Sequence, residues 1–214
     1  MSDALEKISG YGYGDSALGE YHDYLLPAVL ARLDEVRDWP GGRRIFELGC
    51  GNGAIAHALA ARGFEMTGVD TSEQGIAAAN LAYPALKLRP GSAYDDLRGQ
   101  YGQFPVVLSL EVVEHVYFPR KFAATLHDLL LPGGVAIIST PFHGYWKNLL
   151  LALSGKMDAH FTALWDYGHI KFWSVKTLRA LLTEAGFEDI SIQGVGRIAP
   201  LAKSMIAVAR KKSA

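Results

Sequence analysis

Cysteine is almost missing from this sequence. Cys50 is the only one in 214 residues, so no disulfide can form within the chain. The first residues, MSDALEKISGYGYG, lack the apolar stretch of a signal peptide. The longest apolar stretch, near NLLLALSG, is far shorter than the roughly 20 residues that span a bilayer. We therefore expect a cytoplasmic location and no stable membrane insertion.

No block of like charges stands out along the chain. The formal net charge is −1, from 21 lysines and arginines against 22 aspartates and glutamates, and basic residues cluster only in the terminal ARKKSA. Domains that bind nucleic acids usually carry a basic face, so we expect no nucleic-acid partner. Half of the residues are hydrophobic, which suffices for the core of one globular domain.

Short apolar runs alternate with helical patterns from Arg43 onward. Helices are predicted in AIAHALAARG, TSEQGIAAANLA, RKFAATLHDLL and SVKTLRALLTEAGF, and strands in RRIFELG, FEMTGVD, ALKLRPG, FPVVLSL, VAIIST, EDISIQGVG and KSMIAVARK. This alternation predicts an α/β fold with a Rossmann-like, seven-stranded, mostly parallel sheet and helices on both faces. Such sheets bind ligands beyond the carboxyl ends of their strands.

The remaining segments divide the single predicted domain into four parts. Residues 1–42 are expected to form an N-terminal helical cap, with Pro27 interrupting a helix or starting a turn. Residues 43–141 form the core, and residues 174–214 add a helix and a closing hairpin. Residues 142–173 are rich in aromatic side chains and break the strand–helix rhythm. We expect them to form a lid inserted after the fifth strand.

Three glycines lie within five positions directly after the first predicted strand. Gly49, Gly51 and Gly53 separate this strand from a helix, whose N-terminus presents free N–H groups. Glycine adopts positive φ angles and lets a ligand approach the backbone closely, so we expect a cofactor here. The turn lacks the G-K-[S/T] ending of a P-loop, which argues against kinases and NTPases.

The glycine turn is compatible with more than one nucleoside ligand. Gly49, Gly51 and Ala54 satisfy G-x-G-x-x-G/A, and Asp70 follows at about the 20-residue distance expected of a ribose-binding acid. A carboxylate at a strand tip can accept hydrogen bonds from both ribose hydroxyls. Asp70 can instead cap the next helix, although Thr71 or Ser72 can also serve. The fingerprint alone does not separate a nicotinamide enzyme from other nucleoside binders.

Further motifs occur in a fixed order along the chain. ELGCGNG resembles the first motif of class I S-adenosylmethionine-dependent methyltransferases, GVD their second, VVLSLEVVEHV their fourth and LLLPGGVAIISTP the helix, turn and fifth strand that follow. EVVEHV and GHIKFWSVKTLRALLTEAGF resemble the ubiquinone-biosynthesis O-methyltransferases and their small-molecule relatives. The resemblance covers about residues 43–210 and is lost in the insertion. It implies an enzyme that methylates a small molecule, and the expected acceptor is the oxygen of a phenolic, quinol or hydroxyl group. We expect a monomer or homodimer.

This resemblance implies S-adenosylmethionine as the cofactor and S-adenosylhomocysteine as the product. Glu47 would then orient the glycine turn or reach the methionine ammonium through water. Ser92 stands where the family often has an acid that binds adenine, so the backbone of Ala93 is the expected adenine contact, with Asp95 as a fallback. The predicted cofactor-binding residues are Glu47, Gly49, Gly51, Asp70, Ser92, Ala93, Leu110 and Glu111.

The segment after the fourth strand has the spacing of a ligand cluster. Glu111, Glu114 and His115 would share one face of a helix. In the ubiquinone branch this triplet resembles a site for Mg²⁺ or Mn²⁺, but metal-free methyltransferases also carry E-H-V. We therefore expect no metal and keep this triplet as the alternative.

Methyl transfer to oxygen benefits from a base, and histidine titrates near neutral pH. The candidates are His115 and His169, each of which can also be a structural histidine. The predicted substrate contacts are His143, Tyr145, Trp146, Trp165 and Lys171.

Two other functions remain open at this point. One is a nicotinamide-dependent reductase, because Tyr117 and Lys121 have the Tyr-x-x-x-Lys spacing, although Pro119 between them disrupts the required helix. The other is a non-catalytic protein that binds the cofactor and has lost the chemistry.

Overall fold

Seven strands form one sheet, in the order β3-β2-β1-β4-β5-β7-β6. The computed structural model describes Gly19 and residues 22–36 and 42–213. The strands are β1 Arg44–Leu48, β2 Glu65–Asp70, β3 Lys87–Pro90, β4 Phe104–Leu110, β5 Leu130–Pro141, β6 Phe187–Val195 and β7 Ser204–Lys211.

The first five strands are parallel, and the last two close the sheet as an antiparallel hairpin. β1 pairs with β2 and β4, β2 with β3, and β4 with β5, all in parallel. β7 is antiparallel to both β5 and β6. The predicted mostly parallel sheet and its closing hairpin are therefore confirmed. The strand order reverses between β1 and β4, so the ligand crevice of such a sheet lies where these two strands end.

Helices cover both faces of the sheet, as predicted. Adjacent β1 residues show the division: Phe46 packs into one hydrophobic cluster with Phe122 and Leu178, and Ile45 packs into the other with Leu25. In the part of the chain described, no helix is long and apolar enough to cross a membrane. The helices are α1 His22–Asp34, α2 Ala54–Ala60, α3 Glu73–Ala82, α4 Leu97–Tyr101, α5 Pro119–Leu129, α6 Tyr145–Leu153, α7 Met157–Phe161 and α8 Val175–Glu184.

Side-chain caps start two of these helices at the predicted positions. The Ser72 hydroxyl accepts the N–H of Gly75 at 3.1 Å and begins α3, so Ser72 and not Asp70 is the cap. Ser174 and Thr177 form a reciprocal capping box at the start of α8.

Two local expectations are wrong. Pro27 lies inside α1 and neither interrupts the helix nor starts a turn. The proline removes one helical hydrogen bond, and the helix persists because α1 buries Leu25, Val29 and Leu33. The predicted LPGG turn lies within β5 as an irregularity, because the pairing with β4 jumps from Leu130 to Val135. Much of the predicted cap of residues 1–42 lies outside the described residues.

The aromatic segment between β5 and α8 contains α6 and α7. Neither helix has a fully buried residue. A single parallel bridge between Phe142 and Trp173 joins the two ends of this segment. The Trp173 carbonyl accepts the N–H of His143, and the Trp173 indole donates to the Val113 carbonyl at 3.1 Å. The segment is thereby attached at the carboxyl ends of β4 and β5, while its function as a lid remains a prediction.

Candidate active site

The glycine turn joins β1 to α2 in a left-handed backbone conformation. Gly49, Gly51 and Gly53 have φ angles of 85°, 51° and 76°. The N–H of Gly49 donates to the Val69 carbonyl at 2.8 Å, which ties the turn to β2. Residues with a Cβ are strained at such φ angles, so the backbone itself requires glycine here.

Packing within the chain adds to this requirement at two of the glycines. A Cβ on Gly49 would overlap the side chain of Val112. A Cβ on Gly53 would lie 2.8 Å from Leu88 Cδ1 and 2.9 Å from Ala79 Cβ. We expected a cofactor to make the tight contact at Gly49. In the structure, the Val112 side chain makes it.

Asp70, at the tip of β2, holds the glycine turn in place. Its Oδ2 accepts the N–H of Gly51 at 2.8 Å, and its Oδ1 accepts the N–H of Ser72 at 2.7 Å. Burial raises the pKa of Asp70 above its ordinary value, against the lowering effect of these N–H groups. Each carboxylate oxygen can accept more than one hydrogen bond, so Asp70 can still accept bonds from hydroxyl groups of a ligand.

Glu47 is a buried acid on β1 beside this turn. Only 2% of the residue is exposed. Its Oε2 has no hydrogen-bond partner among the described residues. Burial, and then the negative charge of Asp70, raise the pKa of Glu47 to about 8. A buried carboxyl oxygen without a partner favours a ligand that supplies a cationic or N–H donor.

The loop after β3 uses its polar groups within the chain. Asp95 Oδ2 accepts the N–H of Ser92 at 2.7 Å, and the Ser92 hydroxyl accepts the N–H of Tyr94 at 3.2 Å. The Ala93 carbonyl accepts the Thr125 hydroxyl at 2.8 Å. Ser92, Ala93 and Asp95 thus form an ordered loop, and their contact with adenine stays a prediction.

The segment after β4 is not helical. Glu111 has a φ of 55°, and the next helix, α5, begins only at Pro119. The Glu111 carboxylate accepts hydrogen bonds from Ser139 Oγ at 2.8 Å and Ser204 Oγ at 3.3 Å, on β5 and β7. Burial raises its pKa to about 7. Leu110, the last residue of β4, is buried beside it.

This geometry also separates Tyr117 from Lys121. Pro119 is the first residue of α5, so Tyr117 precedes the helix and Lys121 lies within it. Tyr117 is 74% exposed. The two residues do not share the helix that the reductase spacing requires, and nothing in the site favours that alternative.

Three of the predicted functional residues meet at the end of β4. Glu114, His115 and His169 place one ligand atom each within 4.8 Å of one another. Both histidine Nε2 atoms lie 4.0 Å from Glu114 Oε1. The alternative triplet of Glu111, Glu114 and His115 is not the cluster that the structure forms, because Glu111 turns towards β5 and β7 and His169 lies beside Glu114 and His115.

Glu114 holds this cluster together. Its backbone carbonyl accepts the N–H groups of both Ile170 and Lys171 at 2.9 Å. Its Oε2 accepts a hydrogen bond from the Thr140 hydroxyl at 3.0 Å. Its Oε1 has no hydrogen-bond partner among the described residues. Burial, and then the nearby Glu111, raise the pKa of Glu114 well above its ordinary value.

Hydrogen bonding determines which nitrogen of His115 is free. Its Nδ1 lies 2.9 Å from the Tyr167 carbonyl and 3.2 Å from the Gly168 carbonyl. Carbonyl oxygens only accept, so Nδ1 carries the proton and the lone pair of the neutral ring is on Nε2. Burial lowers the pKa of His115, although these carbonyls and Asp70 raise it. The ring is therefore a neutral base near pH 7.

His169 and Trp165 complete the surroundings of His115. The two imidazole rings are 4.9 Å apart, edge to face. The Trp165 ring lies 5.3 Å from that of His169. Burial, and then the neighbouring His115 and His160, lower the pKa of His169 to about 4. Both predicted bases are thus brought together by the return of the aromatic segment.

A cavity of about 520 Å³ adjoins this cluster and includes His169 in its wall. Of the predicted substrate contacts, only His143 lines it. Tyr145 and Trp146 are 74% and 61% exposed. The lining residues that were not predicted include three cationic ones: Lys147 on α6, and Arg197 and Lys203 in the connection between β6 and β7. No motif marks this connection in the sequence.

Comparison with known proteins relates the chain to methyltransferases. Residues 18–192 match the family described as "Methyltransferase domain". A ubiquinone biosynthesis O-methyltransferase of Caulobacter sp. (strain K31) is 40% identical over 184 residues, which cover 80% of this chain and 69% of that protein. The enzyme of that name from Pseudomonas aeruginosa PAO1 is 30% identical over 185 residues, covering 85% and 79%.

Solved structures share the fold at low sequence identity. Magnesium protoporphyrin IX methyltransferase from Synechocystis, with bound S-adenosylhomocysteine, superposes with a TM-score of 0.66 at 17% identity, covering 99% of this chain and 94% of that one. A SAM-dependent methyltransferase from Archaeoglobus fulgidus gives a TM-score of 0.63 at 17% identity, covering 87% and 93%.

Proposed function

Since the chain belongs to the S-adenosylmethionine-dependent methyltransferases, we propose that it methylates an oxygen of a small phenolic, quinol or hydroxyl acceptor with His115 as the base. The observation that carries this proposal is the hydrogen bond from His115 Nδ1 to the Tyr167 carbonyl. This bond leaves the lone pair of the neutral ring on Nε2, where it can accept a proton. The relatives named for ubiquinone biosynthesis are O-methyltransferases, which supports oxygen as the acceptor atom.

The cofactor binds at the carboxyl ends of β1 and β2. Asp70 accepts the ribose hydroxyls, Gly49 and Gly51 lie along the cofactor, and Glu47 receives the methionine ammonium directly or through water. The buried Oε2 of Glu47, which lacks a partner among the described residues, fits such a cation. Ser92 and Ala93 approach the adenine, and Leu110 and Glu111 face the methionine end.

The chain's own residues supply the proton chemistry. Bound S-adenosylmethionine supplies an electrophilic methyl group on a sulfonium and leaves as S-adenosylhomocysteine. His115 Nε2 takes the proton of the acceptor hydroxyl, so that the oxygen attacks as the more nucleophilic oxyanion. Positioning of the acceptor by the cavity wall provides the remaining rate enhancement through proximity and orientation.

Glu47 makes cofactor binding depend on pH. Its pKa of about 8 means that the carboxyl is mostly protonated at pH 7, and an adjacent ammonium favours the ionised form. Affinity for S-adenosylhomocysteine should rise roughly tenfold or more between pH 6 and pH 8, with release of up to about one proton on binding. Calorimetry in buffers of different ionisation enthalpy measures both quantities. Glu47→Gln should abolish the proton release, and an unchanged release would contradict this assignment.

The acceptor atom is tested with small catechols as probes. The protein, incubated with S-adenosylmethionine and 3,4-dihydroxybenzoate, should give a mono-O-methylated product and an equal amount of S-adenosylhomocysteine by mass spectrometry. Methyl transfer to amines under conditions where catechols remain unmodified would overturn the proposal for oxygen.

A second role for the cluster is metal binding. Glu114, His115 and His169 offer one oxygen and two nitrogen ligands within 4.8 Å, a set that suits Zn²⁺ or Mn²⁺ better than Mg²⁺. We favour the metal-free mechanism, in which His115 needs no ion to accept a proton.

The proposal also includes a cytoplasmic location, a monomer or homodimer, and no nucleic-acid partner.

A further inference from the structure

The cavity beside His169 has an unusual balance of charge. Lys147, Arg197 and Lys203 line it together with three histidines. The described residues of its wall include no aspartate or glutamate. Glu111 lies outside this wall, and its charge interacts with that of Lys147. An excess of positive side chains raises the local concentration of anions and strengthens their binding.

The polar groups of this wall are arranged to donate. Lys147 Nζ donates to the Phe142 carbonyl at 2.8 Å and to the carbonyls of Ala202 and Lys203 at 3.3 and 3.4 Å. Lys147 therefore fixes the connection between β6 and β7 and contributes charge. Arg197 and Lys203 are exposed residues. Lys203 Nζ lies 5.1 Å from the centre of the Tyr24 ring.

Two histidines of the wall, His143 and His160, each have a buried ring nitrogen without a hydrogen-bond partner among the described residues. His160 Nε2 is buried and has no hydrogen-bond partner in the described part of the chain. Burial, and then the charge of Lys147, lower the pKa of His160, so its ring is neutral near pH 7 and can donate one N–H. A buried polar nitrogen of this kind favours a polar ligand group beside it.

Apart from Ser154, the rest of the wall is apolar. Leu150 and Leu151 of α6, with Leu201 and Ala202, line the same cavity. Its volume of about 520 Å³ lies within the range of small-molecule sites, roughly 300–1,000 Å³. The apolar residues suit a hydrocarbon chain or ring, and the cationic residues suit an anion.

We propose that the methyl acceptor is an amphiphilic anion, whose carboxylate or phosphate binds between Arg197 and Lys203 and whose apolar part lies against Leu150 and Leu151. This inference rests on the proposed function, because His169 belongs to both the cavity and the cluster with His115. The anionic end thereby sets which hydroxyl of the acceptor reaches His115, and neutral molecules of the same shape bind more weakly.

Binding of three matched probes tests this inference without turnover. Calorimetry with octanoate, octyl phosphate and octanamide uses the protein saturated with S-adenosylhomocysteine. At least one of the two anions should bind about tenfold or more tightly than octanamide, because hydrogen bonds to charged groups are the stronger ones. The anion that binds more tightly identifies the headgroup as a carboxylate or a phosphate.

Charge-matched variants separate specific contacts from net charge. The double variant Arg197→Gln/Lys203→Gln should bind that anion about tenfold more weakly and octanamide unchanged. Lys176→Gln/Lys212→Gln removes the same charge from exposed positions outside the cavity wall and should bind all probes like the wild type.

Equal binding of octanamide and the anions would overturn this inference, as would full anion affinity in the Arg197→Gln/Lys203→Gln variant. Absence of anion binding while S-adenosylhomocysteine binds and catechols are methylated would refute this inference alone. Catechols left unmodified while the anions bind with the expected selectivity would instead refute the proposed function.

Discussion

An Asp70→Ala variant should bind S-adenosylhomocysteine at least about 100-fold more weakly than the wild-type protein. Asp70 is proposed to accept two ribose hydroxyls, and hydrogen bonds to a charged group contribute about 1.5–3 kcal/mol each. Two such bonds correspond to roughly 100-fold or more in affinity. The variant also loses the acceptors for the N–H groups of Gly51 and Ser72, so the glycine turn is no longer held. Calorimetry with S-adenosylhomocysteine measures the change.

A matched control for this prediction exists on α4. Asp96 also accepts a backbone N–H, that of Gly99 at 2.9 Å, but it lies at the surface as the cap of a short helix. Asp96→Ala should leave cofactor affinity unchanged. If Asp70→Ala bound within about threefold of the wild type while remaining folded, the ribose role of Asp70 would be disproved.

The second large effect is expected at His115. Replacing it with alanine should lower kcat by about 10²–10⁴, the usual contribution of a general base, while affinity for S-adenosylhomocysteine stays unchanged. In the wild type, kcat should fall as pH drops through the pKa of His115, which burial holds below 6.5. This acidic limb should disappear in His115→Ala. Steady-state assays with 3,4-dihydroxybenzoate across pH measure both effects.

His57→Ala serves as the histidine control. His57 is exposed, and its ring stacks on that of Tyr83 at 4.2 Å. Its removal should leave kcat and the pH profile intact. An acidic limb that persists in His115→Ala would assign the base elsewhere, with His169 as the next candidate.

The same assay separates a base from a metal ligand. With His115 as a base, dialysis against a chelator leaves the rate within about twofold. If the cluster holds a metal, chelation abolishes activity and Zn²⁺ or Mn²⁺ restores it in the wild type but in neither His115→Ala nor His169→Ala.

Local patterns predicted most of the sheet and the start of the site. Strand and helix positions follow from hydrophobic periodicity, and Ser72 and Ser174 cap the helices where expected. The position of Asp70 beside the glycine turn follows from the parallel pairing of β1 and β2, since neighbouring parallel strands end at the same edge.

Local patterns failed where distant contacts determine the backbone. The i, i+3, i+4 spacing of Glu111, Glu114 and His115 places them on one face only if the segment is a helix. Hydrogen bonds from Ser139 and Ser204 hold Glu111 at a positive φ instead. A sequence pattern does not contain these partners, because they come from β5 and β7.

The sequence by itself determined the fold class, the glycine turn and the acid beside it, because periodicity, glycine φ angles and strand ends act over a few residues. Only the tertiary structure decided that His169 joins Glu114 and His115, and that Lys147, Arg197 and Lys203 line one cavity. These groups lie on separate segments of the chain. Their distances depend on how the sheet, the aromatic segment and the closing hairpin pack together, which no short pattern records.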